Sequence, residues 1–266
     1  MAKTTYDYSR FNRTLFIDTS NLEEIKKWNK TGVISGVTTN QAIMLKDGVR
    51  PKDFERTIKA IAKEMGDKPV SVELSDSTAT VEQMLKEAKK YNAMAKNIVV
   101  KVPMIPETTK SLEVIYNLAK MDIAVNVTTM MTYEQMVMAI LATSHCRRPS
   151  FVSFFWGRSA EDHATYRSRF DFMKNFARVG MGSPINETPA LIVDACARFL
   201  LEGGYQNPKI IVGSIRSATQ VGEAFDAGAN VPTVPPDILQ AMLFSQRSIE
   251  TIEQFDIAWK ELQALT

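Results

Sequence analysis

Asn97-Ile98-Val99-Val100-Lys101-Val102-Pro103-Met104 is the stretch that decides the fold. Its β-branched apolar run fits a buried strand far better than a helix. The lysine near its end is costly there. Desolvation disfavours a charged amine and favours the neutral, nucleophilic form that Schiff-base chemistry needs. The plainer alternative is a packed stem whose head reaches solvent.

Outward from this strand, short apolar runs alternate with amphipathic stretches. Leu15-Phe16-Ile17-Asp18 reads as a first strand, followed by Thr19 or Ser20 as the cap of a helix carrying Leu22, Ile25 and Trp28. Gly32 to Thr39 and Pro69 to Leu74 read as the second and third strands, and the lysine strand is the fourth. Phe54, Ile58, Ile61 and Met65 lie at helical spacing between the second and third. Ile123 to Val127, Ser150 to Ser153, Lys209 to Gly213 and Asn230 to Val234 supply four more strands, the last leading into a proline-opened helix at Pro236. Eight alternating units predict a parallel sheet with crossover helices. At 266 residues they fit one α/β domain over 1–266, a closed (β/α)8 TIM barrel, better than an open doubly wound sheet. No GxGxxG or Walker A sequence is present.

The rhythm breaks between Arg158 and Lys209. Polar, aromatic and glycine-rich pieces such as His163-Ala164-Thr165-Tyr166-Arg167 and Gly180-Met181-Gly182-Ser183-Pro184 predict an insertion after strand six, over about 161–187. It is a lid, an oligomer contact or a decorated surface loop. The final segment predicts a C-terminal helix with Ile249, Ile252, Phe255, Trp259 and Leu262 on one side. That face suits a contact in a homo-oligomer or packing on its own barrel.

Thirty-two basic and 30 acidic residues leave a net charge of +2, so no global field points to nucleic acid or membrane. Two cysteines, Cys146 and Cys196, form no CxxC pattern and favour a reducing compartment. Cys146 follows His145, but adjacency in sequence does not make a catalytic dyad. No segment approaches the ~18 unbroken apolar residues of a membrane span, and no apolar leader opens the chain. A cytoplasmic protein is expected.

In a TIM barrel the chemistry gathers at the C-terminal ends of strands. Those ends are Asp18, Thr38-Thr39-Asn40, Glu73, Lys101, Asn126 with Thr128, Ser153 with Arg158, and Ser214 with Arg216. Each has a bland explanation, since strand ends meet solvent. Two carboxylates, a lysine and several hydroxyl and amide groups on one rim nevertheless form the set an imine-forming enzyme needs. Arg158, Arg216 and Ser214 are donors suited to a terminal anion.

These segments resemble the transaldolase and fructose-6-phosphate aldolase family. The resemblance rests on Leu15-Phe16-Ile17-Asp18-Thr19-Ser20, Gly36-Val37-Thr38-Thr39-Asn40, Ile98-Val99-Val100-Lys101-Val102-Pro103, Ser153-Phe154-Phe155-Trp156-Gly157-Arg158 and Gly213-Ser214-Ile215-Arg216. Five motifs in register span residues 14 to 245. The resemblance implies that Lys101 forms an imine with a ketose, Glu73 and Thr128 hold a proton-shuttling water, and Asp18 takes the proton that breaks the carbon–carbon bond. Thr38, Asn40, Asn126 and Ser153 would orient the substrate, while Arg158, Ser214 and Arg216 would bind its distal anion. No metal or organic cofactor is implied, because the protonated imine is the electron sink.

Within the family, the aldolase branch resembles glutamine at the Glu73 position and tyrosine at the Phe155 position; transaldolases resemble glutamate and phenylalanine. This chain has the transaldolase residues at both, which favours transfer of a three-carbon dihydroxyacetone unit to an aldehyde over release of free dihydroxyacetone. It also departs from the pattern. Gln41 stands where proline is usual, predicting a more mobile loop, and Phe154 and Trp156 replace smaller residues, predicting a reshaped pocket. Sugar phosphates are the implied substrates, with a sulfonated or otherwise modified sugar as an alternative. A catalytically silent barrel serving binding or assembly is the rival from another class.

Overall fold

The computed structural model describes residues 6–106, 108–168 and 188–265. Eight parallel strands follow chain order around a closed barrel: β1 Leu15–Asp18, β2 Ile34–Thr38, β3 Val70–Glu73, β4 Ile98–Pro103, β5 Val125–Met130, β6 Phe151–Phe155, β7 Lys209–Gly213 and β8 Val231–Val234. β8 pairs back onto β1, so the sheet has no open edge. Helices lie between the strands, and the (β/α)8 barrel read from the sequence is present.

The period-two alternation of each strand builds two separate cores. Ile98, Val100 and Val102 point outward, fully buried against helical residues such as Ile115 and Leu118. Burying each such side chain contributes roughly 1.5–3 kcal/mol relative to exposure. Phe16, Val99, Ala124, Phe151, Ile211 and Val231 point inward and cluster with Phe11 from the short helix Ser9–Phe11 beneath. Phe11, Phe16 and Phe151 meet edge to face, with centroids 5.3 to 6.2 Å apart. The Phe16 ring occupies the space where a Cβ on Gly36 would stand, 2.5 Å from its nearest atom. This apolar floor fixes what lies above it. Asp18, Lys101, Asn126, Ser153, Gly213 and Thr233 each follow a floor residue by two positions, and so face the barrel mouth.

Helix ends follow local chemistry. Thr80 and Thr132 form capping boxes with Gln83 and Gln135 at the helices Val81–Asn92 and Tyr133–Thr143. The helix Leu22–Asn29, however, is capped by Asn21, not by Thr19 or Ser20. Those two hydroxyls donate to Asp47 Oδ2, both at 2.9 Å, joining the β1 loop to the end of the helix Gln41–Lys46. A short polar side chain can close a local cap or tie two loops, and here the tie prevails.

The loop expected to be mobile at Gln41 enters that helix directly. Gln41 donates to the carbonyl of Leu74 at 2.7 Å, lashing the end of β2 to the end of β3. The expected insertion also changes at its start: residues 161–168 continue the helix Trp156–Ser168, and 169–187 lie outside the described residues. Phe154 and Trp156 do not reshape the pocket. Both pack in the outer core: strand alternation turns Phe154 away from the barrel interior, and Trp156 is already the first residue of the following helix. The C-terminal helix Gln246–Ala264 has no buried residue, and Phe255 and Trp259 are 69% and 61% exposed.

Candidate active site

Parallel pairing sets Glu73, Lys101 and Asn126 side by side across β3, β4 and β5. Asp18 pairs with Thr38 across β1 and β2. Lys101 is 4% exposed, and its Nζ lies 3.2 Å from Glu73 Oε2. It also donates to the backbone oxygen of Thr39 at 3.2 Å. The head therefore does not snorkel; it is held inside the mouth.

Beneath it runs a buried polar chain. Ser153 Oγ donates to Asn126 Oδ1 at 2.7 Å, and Asn126 Nδ2 donates to Ser71 Oγ at 3.0 Å. With both ends of its amide engaged, Asn126 has a fixed orientation. On the opposite wall Thr38 Oγ1 lies 2.6 Å from Asp18 Oδ1 and 2.6 Å from Thr233 Oγ1. Burial pushes the Asp18 carboxyl up from its ordinary range. The Lys101 charge and the Thr38 hydroxyl pull it down, while Glu73 and Asp47 add to the rise.

A cavity of about 220 Å³ opens over this set. Asp18, Thr38, Asn40, Lys101, Ser153, Phe155, Arg158, Ser214 and Arg216 all line it. Of the remaining sequence candidates, Glu73 stands beside Lys101, and Asn126 and Thr128 are fully buried in the wall. Asn40 has a second commitment, since its Oδ1 caps the helix Gln41–Lys46 by accepting from Ile43 N at 2.8 Å.

The two arginine segments are bolted together. Gly157 N donates to Ser214 O at 3.1 Å, and a Cβ on Gly157 would sit 2.1 Å from that oxygen. Only glycine allows this approach. Ser214 itself takes a left-handed backbone, φ 59°, a cost more often met at functional sites. Its Oγ and the Oγ1 of Thr128 are buried without a hydrogen-bond partner among the described residues. Arg216 Nε lies 3.3 Å from Glu161 Oε1, and the Arg158 guanidinium lies 6.0 Å from the Phe155 ring centre.

Three polar residues of this mouth escaped the sequence reading: Ser71, Thr233 and Lys46. Strand parity marks the first two, for Ser71 precedes Glu73 by two positions and Thr233 follows Val231 by two. Lys46 had no such signal, being one of many surface lysines until the helix Gln41–Lys46 places it on the cavity wall.

A lysine paired with a carboxylate inside the mouth of a (β/α)8 barrel, with arginines on the rim, has the layout of a barrel enzyme acting on small anionic molecules. Known proteins sharpen this. Residues 15–266 match the model of the family described as Transaldolase/Fructose-6-phosphate aldolase. A probable transaldolase of Exiguobacterium sibiricum is 32% identical over 248 residues, covering 93% of this chain and 98% of that protein. A probable transaldolase of Brachyspira hyodysenteriae is 33% identical over 240 residues, covering 90% and 94%. The fold is also similar to that of a dihydrodipicolinate synthase from Rhodopseudomonas palustris, with a TM-score of 0.57, 12% identity and coverage of 98% of this chain and 82% of that one. The chain belongs to the transaldolase/fructose-6-phosphate aldolase family and is an enzyme of that kind.

Proposed function

We propose that this protein transfers a three-carbon dihydroxyacetone unit from an anionic ketose to an aldehyde through a Schiff base on Lys101. The observation that carries this reading is the Lys101–Glu73 pair at 3.2 Å, enclosed in the barrel mouth with Asp18 on the facing wall.

Lys101 Nζ attacks the ketose carbonyl, Glu73 takes up the proton that the amine releases, and loss of water leaves a protonated imine. Asp18 then removes the proton of the hydroxyl two carbons from the imine carbon. The carbon–carbon bond breaks, an aldehyde departs, and the bonding pair moves into an enamine. Attack of the enamine on a second aldehyde and hydrolysis of the new imine complete the transfer. Thr128 and Glu73 serve the water steps, and Thr38, Asn40, Asn126 and Ser153 orient the hydroxyls. Ser214, Arg158 and Arg216 hold the distal anion. Phe155 offers the enamine no proton, which supports transfer over release of free dihydroxyacetone.

Sugar phosphates are the substrate class that the family supports. One observation favours a sulfonated ketose as a second reading: Glu161 offsets the charge of Arg216, which suits a monoanion better than a dianion. The two buried free cysteines accord with a reducing, cytoplasmic setting. The exposed apolar face of Gln246–Ala264 supports a homo-oligomer, which light scattering tests.

Borohydride trapping with fructose 6-phosphate, followed by mass spectrometry, tests the mechanism. A reduced adduct on Lys101 is expected; no adduct with any ketose phosphate or sulfonate would overturn it. Free dihydroxyacetone formed at full rate without an acceptor would replace transfer by cleavage.

A further inference from the structure

Thr38 has one hydroxyl proton and two close partners. Its Oγ1 stands 2.6 Å from Asp18 Oδ1 and 2.6 Å from Thr233 Oγ1, and the two threonines are 1% and 4% exposed. An ionised carboxylate only accepts hydrogen bonds. While Asp18 is ionised, Thr38 must donate to it, which leaves the Thr38 oxygen to accept from Thr233. Once Asp18 holds a proton the chain can reverse, with Asp18 donating to Thr38 and Thr38 to Thr233.

We propose that Thr233 is a positioning residue that governs the proton on Asp18 by acting through Thr38. The two hydroxyls form a reversible chain from the carboxyl to β8, the strand next to β1, where Thr233 also lines the cavity. With Asp18 ionised both hydroxyl protons have an acceptor; in the reversed chain the Thr233 proton is left to the cavity that Thr233 lines, so Asp18 can gain and lose a proton without rearranging the wall. The chain does not serve the two states equally. A hydrogen bond to a charged acceptor is stronger than one between neutral groups, and a donor behind it polarises it further. Thr233 therefore favours the ionised form of Asp18, the form able to take a proton.

Other groups act on the same carboxyl. Lys101 from β4 favours ionisation, while Glu73 from β3 and Asp47 beyond the helix Gln41–Lys46 oppose it. Lys46, Arg158 and Arg216 line the same cavity farther toward the rim. Among the described residues none of them hydrogen-bonds or ion-pairs with Thr233, so substituting Thr233 leaves them in place. The methyl of Thr233 stands 3.5 Å from where a Cβ on Gly213 would be, and a valine keeps that methyl.

The proposal rests on the imine reading, in which Asp18 accepts the proton released on bond cleavage. The test is the pH profile of transfer from fructose 6-phosphate to erythrose 4-phosphate in the full chain. For Thr233→Val, the acid limb of kcat is expected to move upward by half a pH unit or more, with KM changed less than twofold. Thr233→Ser is expected to restore the wild-type limb. Thr233→Ala, which adds no bulk, is expected to reproduce the shift should the valine variant fold poorly. An unmoved or lowered limb, or a serine variant that fails to restore it, overturns the proposal. Borohydride trapping on the wild type separates the two failures. A trapped Lys101 with an unmoved limb sinks the role of Thr233 alone; an untrappable Lys101 sinks the imine reading and this proposal with it.

Discussion

Lys101 and Glu73 occupy paired positions on adjacent parallel strands, and their charged atoms meet at 3.2 Å within the barrel mouth. Both are shielded, with side chains 5% and 12% exposed. Each partner is therefore the main compensation for the other, and removing one leaves a poorly solvated charge.

The first prediction concerns that dependence. Lys101→Met should eliminate borohydride trapping and turnover while lowering Tm, because Glu73 is left uncompensated. Glu73→Gln should also lower Tm. The double variant should recover part of the loss, giving a coupling on the order of 1–3 kcal/mol in a thermal-melt cycle. Strictly additive melts would show that the pair contributes nothing to stability.

Asp18 yields a prediction with opposite signs for stability and activity. Burial raises its folded pKa above the unfolded value of 3.8. The folded state then binds more protons than the unfolded one as pH rises from that value, so stability falls until Asp18 is fully ionised. Asp18→Asn should raise Tm at pH 7.5, and its advantage should shrink as the pH approaches 4. The same variant should still trap substrate on Lys101 yet fail to cleave it. A variant less stable than wild type at pH 7.5 would contradict the sign.

Gly157→Ala tests the bolt between the arginine segments. A Cβ 2.1 Å from Ser214 O forces β7's exit loop to move, carrying Ser214 and Arg216 with it. KM for an anionic ketose should rise roughly tenfold or more, with a Tm loss of several degrees, the signature of a displaced backbone. An unchanged KM would mean that the loop position does not matter to binding.

Glu161 and Arg216 make a paired prediction at the rim. Arg216→Ala should raise KM for anionic ketoses roughly tenfold and leave neutral dihydroxyacetone unaffected. Glu161→Gln should act the other way, and modestly. The pair is exposed and worth at most about 1 kcal/mol, so KM should fall by no more than about fivefold. A rise in KM on losing Glu161 would assign that carboxylate to substrate binding.

The barrel was legible because its strands are short, apolar and evenly spaced, and because Ile58, Ile61 and Met65 repeat at helical intervals beside them. The rim was legible because parallel strands all end on one face. Other features were not. The Thr38–Thr233 contact joins residues 195 positions apart, and nothing local announces it. Phe154 and Trp156 looked like pocket residues because they flank Ser153 and Phe155 in the motif. Strand parity turns Phe154 outward, as counting from Ser153 would have shown, while Trp156 goes outward because the helix begins there. Thr19 and Ser20 satisfied the grammar of a helix cap, yet Asp47 reaches them from another loop.

The ring of Phe11, Phe16 and Phe151 has a kinetic consequence. With the lower end of the barrel stoppered, the chamber formed by the described residues opens at the mouth end. Under the transfer reading, the departing aldehyde and the incoming one use that opening in turn. Double-reciprocal plots at several fixed donor concentrations should then run parallel, and each aldehyde product should compete with the acceptor for one vacated space.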